Sequence, residues 1–134
     1  MRTINKIIIH STATPEGRNH TAAEICQWHR NAGKREVGYH YVVGIGGTIE
    51  NGRSSATAGA HAVGHNANSI GIAYVGGTDR AGQPKDTRTP EQKEAMINLI
   101  AELRKEFPNA EVIGHRDVGS TACPSFDAKK EYSV

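Results

Sequence analysis

Three side chains in this sequence, far apart along the chain, are of the types that hold a divalent metal. His10 closes the apolar run Ile7, Ile8, Ile9 near the start. His115 follows Val112 and Ile113 near the end, and Cys123 stands eight residues beyond it, across a loop. Two imidazoles and a thiolate are a known ligand set for catalytic zinc, one that leaves the fourth tetrahedral position to water or substrate. Such a centre polarises a carbonyl and acidifies water, so the chemistry expected is metal-assisted hydrolysis.

Each residue also has a plainer use. A histidine at a strand end is commonly hydrogen-bonded at the surface, and a lone cysteine commonly packs as a small hydrophobe. The combination is more informative. His10 and His115 each end a short apolar segment, so adjacent strands could present both at one sheet edge. The loop after His115 is long enough to swing Cys123 back to the same point, with Pro124 stiffening the return. The helical His-Glu-x-x-His pair is absent, which excludes a thermolysin-type arrangement. A competing hydrolase reading makes Cys123 a nucleophile and His115 its base. Activated cysteines usually open a helix, where the pKa falls, and Ala122-Cys123-Pro124 does not open a strong one.

The elements that must position these groups are legible in outline. Lys6 to His10 reads as a buried strand, short and β-branched, followed by the loop Ser11 to Pro15. Thr21-Ala22-Ala23-Glu24 is a capping-box pattern, and Ala22, Ile25, Trp28 and Ala32 recur at helical spacing until Gly33. Tyr39 to Val43 and Thr48 to Glu50 are strand-like on either side of Gly44-Ile45-Gly46-Gly47, which predicts a hairpin. That glycine cluster lacks the lysine and helix of a phosphate loop. Ala56 to Asn68 is rich in small residues and reads as a loop lining something. Ser69 to Val75 is another strand, and Arg80 to Arg88 is polar and expected exposed. Thr89 as N-cap, Pro90 at the first helical position and Gln92 closing the box begin the clearest helix. Its apolar stripe is Met96, Leu99, Ile100, Leu103 and Phe107, and Pro108 stops it. Glu111 to Gly114 is a last short strand that delivers His115. Strands and helices interleave without a strict βαβ rhythm, which predicts an α/β fold: a central mixed sheet flanked by helices, in one domain over residues 1–134.

Composition bounds the partners. The chain has 134 residues, enough to bury a core without cross-links, and that core should be mostly aliphatic because aromatics are only 5%. A formal charge of +2 gives no argument for a nucleic-acid partner. Cys26 and Cys123 are the two cysteines; a bridge between them is not expected, since Cys123 has a better use and Cys26 sits in an apparent helix. No apolar signal segment precedes the first strand and no stretch is long enough to cross a bilayer, so synthesis as a cytoplasmic protein without membrane insertion is expected.

Several ordered motifs together resemble a family. These are Ile8-Ile9-His10-Ser11-Thr12-Ala13, Gly38-Tyr39-His40-Tyr41, His61-Ala62-Val63-Gly64, Asn68-Ser69-Ile70-Gly71-Ile72, and His115-Arg116-Asp117 with Cys123-Pro124-Ser125-Phe126-Asp127. They are similar to the zinc N-acetylmuramoyl-L-alanine amidases, and within them to phage lysozyme-type amidases and animal peptidoglycan recognition proteins. The resemblance spans about residues 6 to 127. It implies one zinc ion held by His10, His115 and Cys123, and cleavage of the amide joining N-acetylmuramic acid to L-alanine in peptidoglycan. It also implies that Tyr39 is a catalytic tyrosine, donating to the developing oxyanion or orienting water. Tyr41, at the same-face spacing of two, could do the same by position alone, and either ring could simply pack in the core.

Phage members carry a catalytic lysine two residues before the cysteine ligand, where this chain has Thr121. Catalytic recognition proteins also accept threonine there, so the resemblance makes Thr121 a candidate catalytic residue without a positive charge. His61 matches a histidine near the substrate groove and is expected to contact substrate. His40 is expected on the sheet face opposite Tyr39 and, like His29, in a structural role; His65 has a weaker case and His20 is expected exposed. The resulting expectation is a monomeric, endolysin-like enzyme that acts on the wall after release or lysis. The alternative is a module that binds peptidoglycan without cleaving it; the complete ligand set speaks against that.

Overall fold

The computed structural model describes residues 3–21, 23–25, 27, 38–62 and 64–132. The strands in chain order are β1 (Lys6–Ser11), β2 (Thr14–Pro15), β3 (Tyr41–Val43), β4 (Ile49–Asn51), β5 (Ser69–Tyr74), β6 (Gly77–Thr78) and β7 (Glu111–Gly114). The helices α1 (Pro90–Glu106) and α2 (Ala128–Glu131) complete them, with 3₁₀ turns at Asn66–Asn68 and His115–Asp117. The main sheet runs β4-β3-β5-β1-β7, and β2 pairs with β6 beside it. β1 is parallel to both β5 and β7, β3 is parallel to β5, and β4 is antiparallel to β3, so the sheet is mixed as expected.

The central place of β1 explains its unbroken apolar run. A strand with neighbours on both edges and layers on both faces has no polar side, and Ile7, Ile8 and Ile9 are all completely buried. Burial of each contributes roughly 1.5–3 kcal/mol. Successive side chains point to opposite faces. Ile7 and Ile9 join Ile70, Ile72, Val43 and the α1 residues Met96, Ile100 and Leu103 in the main core. Ile8 faces the other way, packing with Ala62 and Ile113. His10, two residues on, shares the Ile8 face, opposite α1.

Helix α1 begins as the sequence predicts: Thr89 Oγ1 accepts from the Gln92 N–H, and Gln92 Oε1 accepts from the Thr89 N–H. Gln92 is also fully buried, its Nε2 donating to the carbonyls of Val43 and Val75 at 3.2 and 2.9 Å. One side chain therefore starts the helix and bolts it to the sheet. The Thr21–Glu24 capping pair forms as expected, with the Glu24 N–H donating to Thr21 Oγ1, and residues 23–25 and 27 are helical. Ile25 from this segment packs with Val42 and Val75 on the His10 face. The expectations for Ala22, Cys26, Trp28, His29, Ala32 and Gly33 fall outside the described residues.

Two local expectations differ from the structure. The segment 80–86 is exposed, but Arg88 at its end is buried. Its guanidinium bonds Asp86 and Glu131 at 2.9 Å each, meets Tyr132 Oη at 3.0 Å and stacks 3.5 Å from the Phe126 ring centroid. Two carboxylates and an aromatic face give the buried charge the partners it needs, which the polar stretch alone does not reveal. His20 is partly covered rather than exposed, with Nδ1 3.1 Å from Glu24.

Candidate metal centre

The register of the parallel strands sets the two histidines level. Ile9 pairs with Gly114, so His10 and His115 leave β1 and β7 at the same height, at the carboxyl ends of both strands. Neighbouring strands lie about 4.8 Å apart, and the two ring centroids are 4.5 Å apart. Open α/β sheets place their ligand sites at this end of the strands.

Cys123 reaches the same point by the loop the sequence suggested. The 3₁₀ turn at His115–Asp117 is held by Asp117 Oδ2, which accepts from the Gly114 N–H at 2.8 Å. The Tyr74 hydroxyl donates to the Pro124 carbonyl at 2.6 Å and Ser125 Oγ donates to the Gly77 carbonyl at 2.9 Å, anchoring the far end. The Cys123 thiol is free of any disulfide, and the Ser11 N–H points at Sγ from 3.1 Å. Donor atoms of His10, His115 and Cys123 all lie within 4.8 Å of one another. The Sγ to His10 Nδ1 distance is 3.9 Å. Tetrahedral zinc with bonds near 2.1 and 2.3 Å would put such donors roughly 3.6 Å apart. The Cys123–His10 pair is within a few tenths of an ångström of that spacing, and the 4.8 Å bound on the whole set leaves about an ångström to close at most. Two imidazoles with a thiol are donors of the type zinc takes, so the set fits the ion.

Burial sets the electrostatics of the donors. Burial pushes the Cys123 thiol above its ordinary value, with the Ser11 hydrogen bonds pulling the other way. A nucleophile and a metal ligand both need the thiolate, which a neighbouring cation would stabilise. Burial also lowers the His115 pKa, favouring the neutral ring that can offer a lone pair.

Tyr39 and Tyr41 go to different places. Tyr41 lies in β3 and packs against the main core on the α1 side. Tyr39 precedes the strand, packs with Ile25, Val42 and Val75, and brings its ring centroid to 5.1 Å from that of His10. Burial, and secondarily Cys123, raises its phenol well above the ordinary tyrosine value, so the hydroxyl keeps its proton. Residues 38–40 form a bend rather than strand, so alternation does not separate Tyr39 from His40. The His40 ring also turns to this cluster, 5.8 Å from His61, which corrects the expectation of opposite faces. It is structural in its bonding: Nδ1 accepts from the Gly71 N–H at 3.0 Å and Nε2 meets the Thr57 carbonyl at 2.7 Å.

Thr121 is exposed beside Cys123, and its Oγ1 accepts from the Cys123 N–H at 3.2 Å. It lines a cavity of about 280 Å³ together with Ser11, Thr78, Cys123 and Ser125. His61 is buried, with Nδ1 2.8 Å from His10 Nε2 and Nε2 3.1 Å from Ser69 Oγ. The sequence places Ser69 in a strand and a motif, but its eight-residue offset from His61 carries no local signal for this contact.

Comparison with known proteins gives the family. Residues 1–126 match the family model described as N-acetylmuramoyl-L-alanine amidase. The chain is 39% identical over 126 residues to the endolysin of Klebsiella phage KP32, covering 94% of this chain and 83% of that protein. It is 40% identical over 124 residues to the endolysin of Escherichia phage T7, covering 92% and 82%. Among solved structures, the N-acetylmuramoyl-L-alanine amidase LysC from Clostridium intestinale superposes with a TM-score of 0.83 at 31% identity, covering 97% of this chain and 82% of that one.

Proposed function

The chain belongs to the N-acetylmuramoyl-L-alanine amidase family, and from that premise we propose which of its residues perform the reaction. The protein is a peptidoglycan amidase, an enzyme that hydrolyses the amide between N-acetylmuramic acid and the L-alanine of the stem peptide. In our reading it holds one zinc ion through His10, His115 and Cys123, in a single catalytic domain over residues 1–134. The observation that carries this is the convergence of those three donors within 4.8 Å. When bound, zinc supplies a Lewis acid that polarises the scissile carbonyl and makes water a nucleophile at neutral pH.

The protein's own groups supply the rest. Tyr39 is a proton-bearing phenol beside His10, placed to donate a hydrogen bond to the oxyanion that develops on the carbonyl. The Thr121 hydroxyl accepts from the Cys123 N–H, which leaves its own proton for a partner in the adjoining cavity. It brings no positive charge, so Tyr39 is the principal protein donor. The Ser11 N–H orients and stabilises the Cys123 sulfur as a thiolate ligand.

We read the chain as a wall-lytic enzyme of endolysin type, acting as a monomer on peptidoglycan, with no nucleic-acid partner. No helix among the described residues is long and apolar enough to cross a membrane. Purified sacculi incubated with the protein, with and without chelator and restored zinc, test the reading. Mass spectrometry should find released stem peptides beginning with L-alanine, lost on chelation and regained with zinc. Digestion indifferent to the chelator would remove the metal and return the thiol mechanism.

A further inference from the structure

We propose that His61 is a positioning residue that fixes the tautomer of His10, so that His10 presents its Nδ1 lone pair to the metal. The inference rests on the zinc reading above but is argued from hydrogen bonds that need no ion.

The chain of bonds has one end whose direction is forced. The His65 carbonyl can only accept, and Ser69 Oγ donates its single proton there at 2.7 Å. Ser69 Oγ, 3.1 Å from His61 Nε2, must then accept from an Nε2–H. A neutral His61 with its proton on Nε2 has a lone pair on Nδ1. That lone pair lies 2.8 Å from His10 Nε2, so His10 carries its proton on Nε2 and donates it. The remaining nitrogen, His10 Nδ1, is the one facing Cys123 Sγ at 3.9 Å. A main-chain carbonyl thus decides, through two side chains, which nitrogen of His10 carries the lone pair.

The surroundings are built for this ring. Asn66 Oδ1 accepts from both the His61 and Ala62 N–H groups at 2.9 Å, clamping the loop that carries it. A Cβ on Gly71 would sit 2.7 Å from His61 Cγ, and one on Gly59 would sit 2.5 Å from His61 Cδ2, so both positions clear space for the imidazole. Metal-binding histidines ordinarily give their second N–H to a carboxylate, carbonyl or water. Here the acceptor is a second neutral imidazole, which orients the ligand without burying a negative charge. His61 is therefore a support behind His10 rather than a substrate contact.

Two-bond ¹H–¹⁵N correlation spectra of the metal-free, ¹⁵N-labelled protein read the tautomers directly, at a pH well above the ordinary histidine value of about 6.5. We expect His10 and His61 both protonated on Nε2. Either ring protonated on Nδ1 overturns the proposal, and this measurement needs no variant to fold. Zinc affinity by chelator competition is the second arm. His61→Ala should weaken zinc about 10–100-fold, and His61→Gln, whose amide oxygen can accept from His10 Nε2, should recover part of the loss. A folded His61→Ala protein with unchanged zinc affinity also overturns it. Failure of the wild-type protein to bind zinc sinks the metal reading instead, and the tautomer spectra still decide the role of His61.

Discussion

The Arg116 N–H donates to the Cys123 carbonyl at 2.7 Å, tying the residue after His115 to the main chain of Cys123. With the Tyr74 hydroxyl on the Pro124 carbonyl, this closes the loop from within the protein. The three candidate donors are held by the sheet and its hydrogen bonds, unlike zinc modules whose fold appears only on metal binding.

Metal binding should accordingly add stability to a protein that is folded without it. An ion present at a hundredfold excess over its dissociation constant contributes about 2.7 kcal/mol. For a chain of this size that raises the melting temperature by on the order of ten degrees. Thermal melts with and without zinc should show the rise in the wild type and none in Cys123→Ser. An equal rise in both would mean that the ion binds elsewhere.

Removing the Tyr39 hydroxyl should affect turnover and not the metal. Tyr39→Phe keeps the ring beside His10 but deletes the proposed oxyanion donor, and should lose about 10²–10³-fold in kcat. Zinc content should stay at one ion per chain. Sacculus digestion at the wild-type rate would take Tyr39 out of the mechanism.

Gln92 gives a test of stability separate from chemistry. Its buried side chain makes three hydrogen bonds, to Thr89, Val43 and Val75. Gln92→Leu retains the volume but removes all three bonds, leaving the Val43 carbonyl only its bond from the Val75 N–H, at a cost of about 2–4 kcal/mol. Urea denaturation should show that loss while the specific activity of the folded protein is unchanged.

The Arg88 cluster predicts an acid limb in stability. Hydrogen bonds from Arg88 hold the Glu131 carboxyl below its ordinary 4.5, against a smaller opposing effect of burial. At Asp86 burial pushes upward, but Arg88 outweighs it and the carboxyl again titrates below its ordinary 3.8. Depressed folded values mean stability that is fully present above the unfolded values and lost as pH falls through the folded ones. Unfolding free energy measured from neutral pH downward should therefore fall below about pH 4.5. Arg88→Gln should be less stable at neutral pH and show a shallower acid decline. A decline of the same slope in both proteins would show that these carboxylates do not drive it.

The elements around the site could be read from the chain because their signals are local. A strand buried on both faces is a continuous β-branched run, and Ile7, Ile8 and Ile9 announce it. A helix start is a capping pair three residues apart, and Thr89 with Gln92 supplies it. The three candidate donors could be picked out for a related reason: two strand-terminal histidines and a returning cysteine are residue types a metal centre uses, and the structure brings them within 4.8 Å of one another. Residue type and short-range period are properties of the sequence itself.

What the chain could not disclose are pairings that depend on register and on which face a side chain takes. The choice between Tyr39 and Tyr41 needed the bend before β3, which turns one ring to His10 and leaves the other on the α1 side. Arg88 looked solvated until Glu131 and Phe126, far along the chain, were brought against it. His61 meets His10 across fifty-one positions only because β1 and β5 are adjacent and Gly71 leaves room for the ring. A hydrogen bond between remote side chains carries no periodic trace, since its strength depends on geometry at a few ångströms and sequence separation does not constrain that distance.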